Sequence, residues 1–378
     1  MIRRAPDRPG RSSGAFFERF GSSPDATCLA PGRLNLVGEH TDYNGGQALP
    51  IALGLRTSVA LRRRGDGIVA AASVQRGGPT VEVALDALDP RRAGGWTAYV
   101  HGVLWHWRDR LPPGAGADLL VDGDVPVGAG LSSSAALTCA TAAAIDAAFD
   151  LGLTATDIVR GAAVAESDYV GVPCGLLDQT AAVFAQAGHA VHFDPGALVL
   201  AQVPLAALLE RCALVVVPLT GRHQLGDGQY ADRRTRCEQA ARSLGVSSLG
   251  ELAPHDLSGA LTRVDPAAIG LVRHVVTEIA RVHETVELLR GGGDRRRFGA
   301  LLSASHRSLR DDFGVSTVEA DTVVAGLVDA GALGARMVGG GFGGAVFALV
   351  EHDRLVDVVD RHPGAFSVTP GEGLRPQR

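Results

Sequence analysis

The residues best suited to chemistry fall in a few short stretches. Glu39, His40, Asp42 and Asn44 crowd into the run Gly32-Arg33-Leu34-Asn35-Leu36-Val37-Gly38-Glu39-His40-Thr41-Asp42-Tyr43-Asn44-Gly45-Gly46. Polar groups in such close order can offer donors and acceptors to several hydroxyls at once, which suits a sugar. A site that pairs each hydroxyl rejects an epimer, because one buried group is then left unsatisfied. The same run also fits an exposed β-hairpin rich in turn residues. A second stretch, Pro126-Val127-Gly128-Ala129-Gly130-Leu131-Ser132-Ser133-Ser134, leads into an alanine-rich segment. Glycines let backbone N–H groups approach an anion, and the N-terminus of a following helix adds partial positive charge. Serine hydroxyls can bond phosphate oxygens or ligate Mg²⁺. A serine that merely caps a helix satisfies the same pattern. In a third stretch, Glu166 stands near the end of an amphipathic segment and Asp178 at the start of the next. One carboxylate could hold a metal while the other accepts a hydroxyl proton. A solvated helix face and an N-cap are the alternative reading.

All 36 residues counted as lysine or arginine are arginine. A phosphate loop that depends on lysine is therefore excluded, and so is a Schiff-base lysine. Any phosphate chemistry must draw its positive charge from arginine, a metal or helix N-termini.

The elements that must position these residues alternate between α and β. Phe16–Phe20 reads as a short helix, and residues 27–55 as strand, turn and strand with Asn44-Gly45-Gly46 at the turn. Further strands are expected over 58–62, 68–72, 80–84, 118–122, 214–218 and 345–350. Helices are expected over 97–110, from the serines to Phe149, over 154–170, from Asp178, and over 230–242, 265–289, 297–313 and 317–330.

With 378 residues, the chain exceeds one comfortable core, so two domains are expected: 15–205 and 206–378, after a flexible tail over 1–14. The net charge of −5 argues against a nucleic-acid partner. No apolar stretch is long enough to cross a bilayer, and no apolar run follows the basic N-terminus as a secretory signal requires. The five cysteines are odd in number and scattered without a C-x-x-C pair, which fits a reducing cytoplasm. Cys174 reads as a small packing residue.

The Gly128–Ser134 loop resembles the ATP loop of the GHMP kinases, which use no lysine there. The run from Gly32 to Gly46 resembles the signature of one family among them, the galactokinases. The stretch Glu166-Ser167-Asp168-Tyr169-Val170-Gly171-Val172-Pro173-Cys174-Gly175-Leu176-Leu177-Asp178-Gln179 is similar to that family's catalytic segment. Arg336-Met337-Val338-Gly339-Gly340-Gly341-Phe342-Gly343-Gly344 resembles the glycine-rich motif that lies beside the nucleotide loop. Residues 273–278 and 305–313 are also similar to the family. Thr180 and Pro218-Leu219-Thr220 depart from the family pattern close to the expected sugar site.

The resemblance implies a two-domain α/β (α+β) fold with the active site between the domains. It implies transfer of the γ-phosphoryl of MgATP to the anomeric hydroxyl of galactose. Asp178 is then the base, with Arg33 beside it and beside the γ-phosphate. Glu39, His40, Thr41, Asp42 and Tyr230 are the expected sugar contacts. Gly128, Ala129, Gly130, Leu131, Ser132, Ser133 and Ser134 are the expected ATP contacts, and Ser134 and Glu166 the Mg²⁺ ligands. Galactose and ATP are the expected partners of a monomer or weak oligomer, with neither nucleic acid nor membrane. A kinase for N-acetylgalactosamine or arabinose, or a non-catalytic sensor of galactose and ATP, is the alternative.

Overall fold

The computed structural model describes residues 11–219 and 228–377. Strands β1 (Ala26–Asn35), β2 (Pro50–Arg64), β3 (Ile68–Ser73), β4 (Val81–Ala84) and β5 (Gly116–Gly123) share one sheet with β12 (Arg375–Pro376), in the order β12-β1-β2-β5-β3-β4. Only β3 and β5 pair in parallel. The strand expected to end at Leu55 and the one expected over 58–62 are one continuous strand. The expected tight turn is instead a loop with a single 3₁₀ turn at Asp42–Asn44, because Gly38 and His40 both take positive φ before it.

Helix α1 (Arg11–Phe20) covers one face of this sheet, inserting Phe16 against Ala60, Ala72 and Leu120. It begins earlier than expected, so its first turn takes in residues 11–14 of the anticipated tail. The other face carries α2 (Thr97–Trp107), α3 (Ser133–Phe149), α4 (Ala155–Val164) and α5 (Leu177–Phe184). The alanines of α3 explain its place: small side chains let a helix lie close against β1 and β2. A capping box between Thr154 and Asp157 opens α4. The expected helix over 154–170 then loosens into a π turn at Ala165–Val170, which ends at Gly171. That turn carries Glu166.

Strands β6 (His189–Asp194) and β7 (Leu198–Pro204) form a separate hairpin. Helix α6 (Ala206–Leu209) leads into the second large sheet. That sheet is antiparallel and contains β8 (Cys212–Pro218), β9 (Gly334–Val338), β10 (Ala345–Glu351) and β11 (Phe366–Val368), in the order β11-β8-β10-β9. The second half also holds α7 (Gln229–Leu244), α8 (Leu257–Leu261), α9 (Ile269–Arg290), α10 (Arg295–Arg307), α11 (Val318–Asp329) and α12 (Leu355–Arg361). No helix among the described residues is long and apolar enough to cross a membrane.

Each half has an apolar cluster of its own, and a third cluster joins them. Leu34, Ile51 and Leu53 of the first sheet share one apolar cluster with Leu214, Phe347 and Leu349 of the second. Leu205 and Leu208, on either side of the expected boundary, belong to that same cluster. The end of the unit expected over 206–378 makes backbone contacts with the first half. Gly371 donates to Ala52, Gly373 to Ala185 and Gln377 to Thr27, so the last described residues run along the first half.

Candidate active site

A cavity of about 810 Å³ opens between the halves. The loop after β1, the glycine-serine loop before α3 and the segment from Glu166 to Asp178 line one side. The start of α7 and the glycines after β9 line the other.

At its centre, Asp178 accepts from Arg33 Nε at 2.7 Å and from Ser132 Oγ at 2.5 Å. Local sequence sets this convergence. The β1–β2 register shifts between Pro31 and Arg33, and a Cβ on the intervening Gly32 would lie 2.5 Å from the Leu131 carbonyl oxygen. The bare glycine lets β1 touch the loop, and the bulge turns Arg33 toward Asp178. Arg33 also donates to the Gly130 carbonyl at 2.6 Å. Burial opposes its charge, but Asp178, Glu39 and Asp42 outweigh that and raise its pKa. Ser132 sits in the left-handed region with φ 57°, a conformation that costs a residue with a side chain about 1 kcal/mol or more. Its reward is a hydroxyl aimed at Asp178.

Gly128, Gly130, Leu131, Ser132, Ser133 and Ser134 all line the cavity, whereas Ala129 is buried behind it. A Cβ on Gly130 would meet the Val338 carbonyl oxygen at 2.8 Å, and one on Gly339 would meet Gly130 Cα at 3.1 Å. The two glycine-rich turns therefore touch backbone to backbone. Glu166 receives hydrogen bonds from Ser134, Thr138 and Gln179, all neutral donors. Burial, together with Asp178, pushes its pKa up to about 7. No group of three or more His, Cys, Asp or Glu side chains among the described residues forms a metal cluster. One carboxylate and one hydroxyl nevertheless suit Mg²⁺, which completes its shell with phosphate oxygens and water.

The loop after β1 has a different character. Glu39 Oε1 accepts from Gly339 N at 2.8 Å and lies 3.1 Å from Arg336 Nη2. His40 packs its ring 5.6 Å from Tyr230 and 4.6 Å from Phe313, with Nδ1 2.9 Å from the Tyr43 hydroxyl. Burial and the neighbouring His274, Arg336 and Arg233 pull the His40 pKa down to about 3, so its imidazole is neutral. Asp42 faces Gly175 so closely that a Cβ there would fall 1.8 Å from Oδ2. Burial and Asp178 raise the Asp42 pKa to about 6. Burial likewise pushes the Tyr230 phenol well above its usual value.

Glu39, His40, Asp42 and Tyr230 all line the cavity. Thr41 does not. Its hydroxyl lies 2.8 Å from both the Gly38 and Gln47 carbonyl oxygens, which makes it a latch within the loop.

Several sequence comparisons bear on this geometry. The model described as the galactokinase galactose-binding signature matches residues 14–63. Those for the N-terminal and C-terminal domains of GHMP kinases match residues 98–186 and 285–367. A galactokinase of Streptomyces coelicolor is 42% identical over 95% of this chain and 96% of its own length. The chain belongs to the galactokinases. A galactokinase of Chloroflexus aurantiacus is 39% identical over 96% of this chain and 93% of its own. The crystal structure of Lactococcus lactis galactokinase complexed with galactose superposes with a TM-score of 0.88. It is 31% identical and covers 96% of this chain and 98% of that one. A mevalonate kinase of Methanococcus jannaschii shares the fold alone, with a TM-score of 0.67 at 15% identity and coverage of 91% and 98%. Galactokinases are ATP-dependent sugar kinases.

Some residues of the site escape sequence reading. Tyr99 of α2 lines the cavity, as do Cys174 and Phe342. Arg336 is wholly buried and donates to the Leu36 carbonyl at 2.9 Å. His274 Nε2 reaches the Glu39 carbonyl at 3.0 Å, and Glu278 accepts from Gly38 N at 2.9 Å. A buried cation or histidine amid apolar neighbours was the available signal, but its partner lies hundreds of residues away. Thr180, expected near the sugar, is fully buried and does not line the cavity. Thr220 lies outside the described residues.

Proposed function

We propose that this chain transfers the γ-phosphoryl of ATP to the anomeric hydroxyl of galactose. The observation that carries the reading is the convergence of Arg33 and Ser132 on Asp178, where the serine loop and the sugar loop share one cavity wall. Phosphates lie along Gly128–Ser134, against the N-terminus of α3. Glu39, His40, Asp42 and Tyr230 orient the sugar, with the neutral His40 ring tilted against Tyr230 and Phe313. Asp178 takes the proton from the anomeric hydroxyl. Arg33, tied to Asp178 on one side and to the Gly130 carbonyl on the other, faces the charge that develops on the transferred group. Because phosphoryl transfer is loose, holding both reactants in line supplies much of the acceleration.

Ser134 and Glu166 would hold Mg²⁺, which when bound neutralises charge on the phosphates. A carboxylate buried among neutral donors and titrating near 7 is one that a divalent cation would return to its ionised form. Five free cysteines suit a reducing cytoplasm.

ADP release by the purified protein with MgATP, measured across a panel of sugars, tests the reading. Turnover on galactose above glucose and N-acetylgalactosamine, abolished in Asp178→Asn, is expected. Galactose binding without turnover would point to a sensor. Preference for another sugar would keep the mechanism and change the substrate.

A further inference from the structure

Behind the sugar loop, Gln47, His192, His283 and Asp194 form a set of side-chain contacts outside the cavity wall. Gln47 follows the Gly45-Gly46 turn, half-buried and outside the cavity lining. Its Oε1 lies 2.7 Å from His192 Nε2 on β6 and 2.9 Å from His283 Nε2 on α9. Its amide nitrogen donates to Asp194 at 3.4 Å. An amide oxygen has two lone pairs, so this oxygen is fully used, and both imidazoles must carry a proton on Nε2.

The backbone of the same residue holds the sugar loop. The Gln47 carbonyl accepts from the Thr41 hydroxyl, which also reaches the Gly38 carbonyl. The next residue, Ala48, exchanges two backbone hydrogen bonds with Phe193, at 3.2 and 2.9 Å. A Cβ on Gly38 would lie 2.6 Å from Ala48 Cα. Both ends of the loop that carries Glu39, His40 and Asp42 thus meet at residues 47 and 48. That loop needs holding, because His40 sits at φ 63°.

We propose that Gln47 is a positioning residue for sugar recognition. Clamped by one histidine from each half of the molecule, it fixes the separation between Gly38 and the Gly45-Gly46 turn, and so the place at which Asp42 and His40 meet the sugar. The inference rests on the reading of this loop as the galactose site.

The test compares Gln47→Met, Gln47→Glu and His283→Ala with the unaltered enzyme. Methionine keeps the length but removes the acceptor and leaves two N–H groups unpaired. Glutamate restores an acceptor for both histidines but turns its second oxygen, in place of the amide nitrogen, toward the Asp194 carboxylate. In Gln47→Met the KM for galactose rises about fivefold while kcat and the KM for ATP stay within about twofold, the pattern of lost ground-state binding. Gln47→Glu recovers part of the loss, the remainder reflecting the lost donor to Asp194, and His283→Ala, at an exposed position, moves the galactose KM the same way by less. A purely structural role would lower the melting temperature without separating the two KM values. An unchanged galactose KM in folded Gln47→Met overturns the proposal, as does an equal rise in the KM for ATP. Should that variant fail to fold, His283→Ala decides alone, and an unchanged galactose KM there overturns it. Absence of galactose turnover in the unaltered protein removes the substrate reading instead. The same comparison, run on whichever sugar is phosphorylated, still tests the clamp.

Discussion

Two arginine–carboxylate pairs serve this molecule in opposite ways. Arg33 and Asp178 meet at 2.7 Å within the first half, and the aspartate side chain remains 30% exposed to the cavity. Arg336 and Glu39 meet at 3.1 Å across the two halves, with side chains 0% and 6% exposed. An open pair can still exchange partners with a substrate. In the second pair the arginine is sealed while Glu39 also lines the cavity, so removing Arg336 leaves a largely buried carboxylate without its charge partner. On the proposed reading the first pair serves the chemistry, while the second ties the loop after β1 to the second half. The nucleotide loop is tied mainly to its own half, through Arg33, Asp178 and Glu166. The sugar loop is held mainly by the other half, through Gly339, His274 and Glu278. On the proposed reading, sugar recognition then depends on how the halves meet more than nucleotide binding does.

The largest effect separating the pairs should come from Asp178→Asn and Arg33→Ala. Each is expected to lower kcat about a thousandfold, as loss of a positioned proton acceptor or charge partner does, with circular dichroism and melting temperature nearly unchanged. Near-normal turnover in either purified variant removes that residue from its role. Arg336→Met should show the reverse profile, with a loss of about 3 kcal/mol in urea denaturation because Glu39 is left charged and buried. Adding Glu39→Gln to that variant should recover part of the stability, a coupling that a double-mutant cycle reads directly. If the two changes simply add, the second pair is not a functional unit.

A smaller effect is expected from Gly175→Ala, whose new methyl would displace the Asp42 carboxylate. Its kcat/KM for galactose should fall about tenfold while the KM for ATP holds. Equal loss on both substrates would show that the clash spreads beyond the sugar loop.

The smallest effect is in pH dependence, and the sugar side shows both signs. Asp42, raised to about 6, binds its proton more tightly in the folded state. Stability from this group is greatest below about 4 and declines as pH rises toward 6. Glu278 is lowered to about 2: burial opposes its charge, but Arg281, His274, Arg336 and Ser305 outweigh it. Its contribution is present above about 4.5 and lost as pH falls toward 2. Melting temperature against pH should therefore fall less between 4 and 6 in Asp42→Asn than in the unaltered protein. Identical slopes would mean that Asp42 titrates alike folded and unfolded.

The convergence of Arg33, Ser132 and Asp178 in one cavity was legible because these residues lie in compact runs. Glycine next to serine, and aspartate at a helix start, are local signals of local geometry. Strand and helix positions were readable for the same reason over most of the first half. What supports the sugar loop was not, because Arg336 and Glu39, or Gln47 and His283, meet only through the tertiary fold. The β6–β7 hairpin escaped notice: its Gly196 turn and mixed polar strands lack a clear alternation. The π turn at Glu166 looks like ordinary helix in sequence, since the extra residue per turn leaves the apolar pattern almost intact.

Strand β12 bears on how the chain is made. Cys28 and Leu29 pair with Pro376 and Arg375, so one of the first strands to leave the ribosome waits for the last. At ordinary synthesis rates that wait is about 20 to 70 seconds. Throughout it the outer edge of β1 is open to any other extended segment nearby. The closing strand is only two residues long, and it acts as a late seal on a surface that nascent chains would otherwise offer one another.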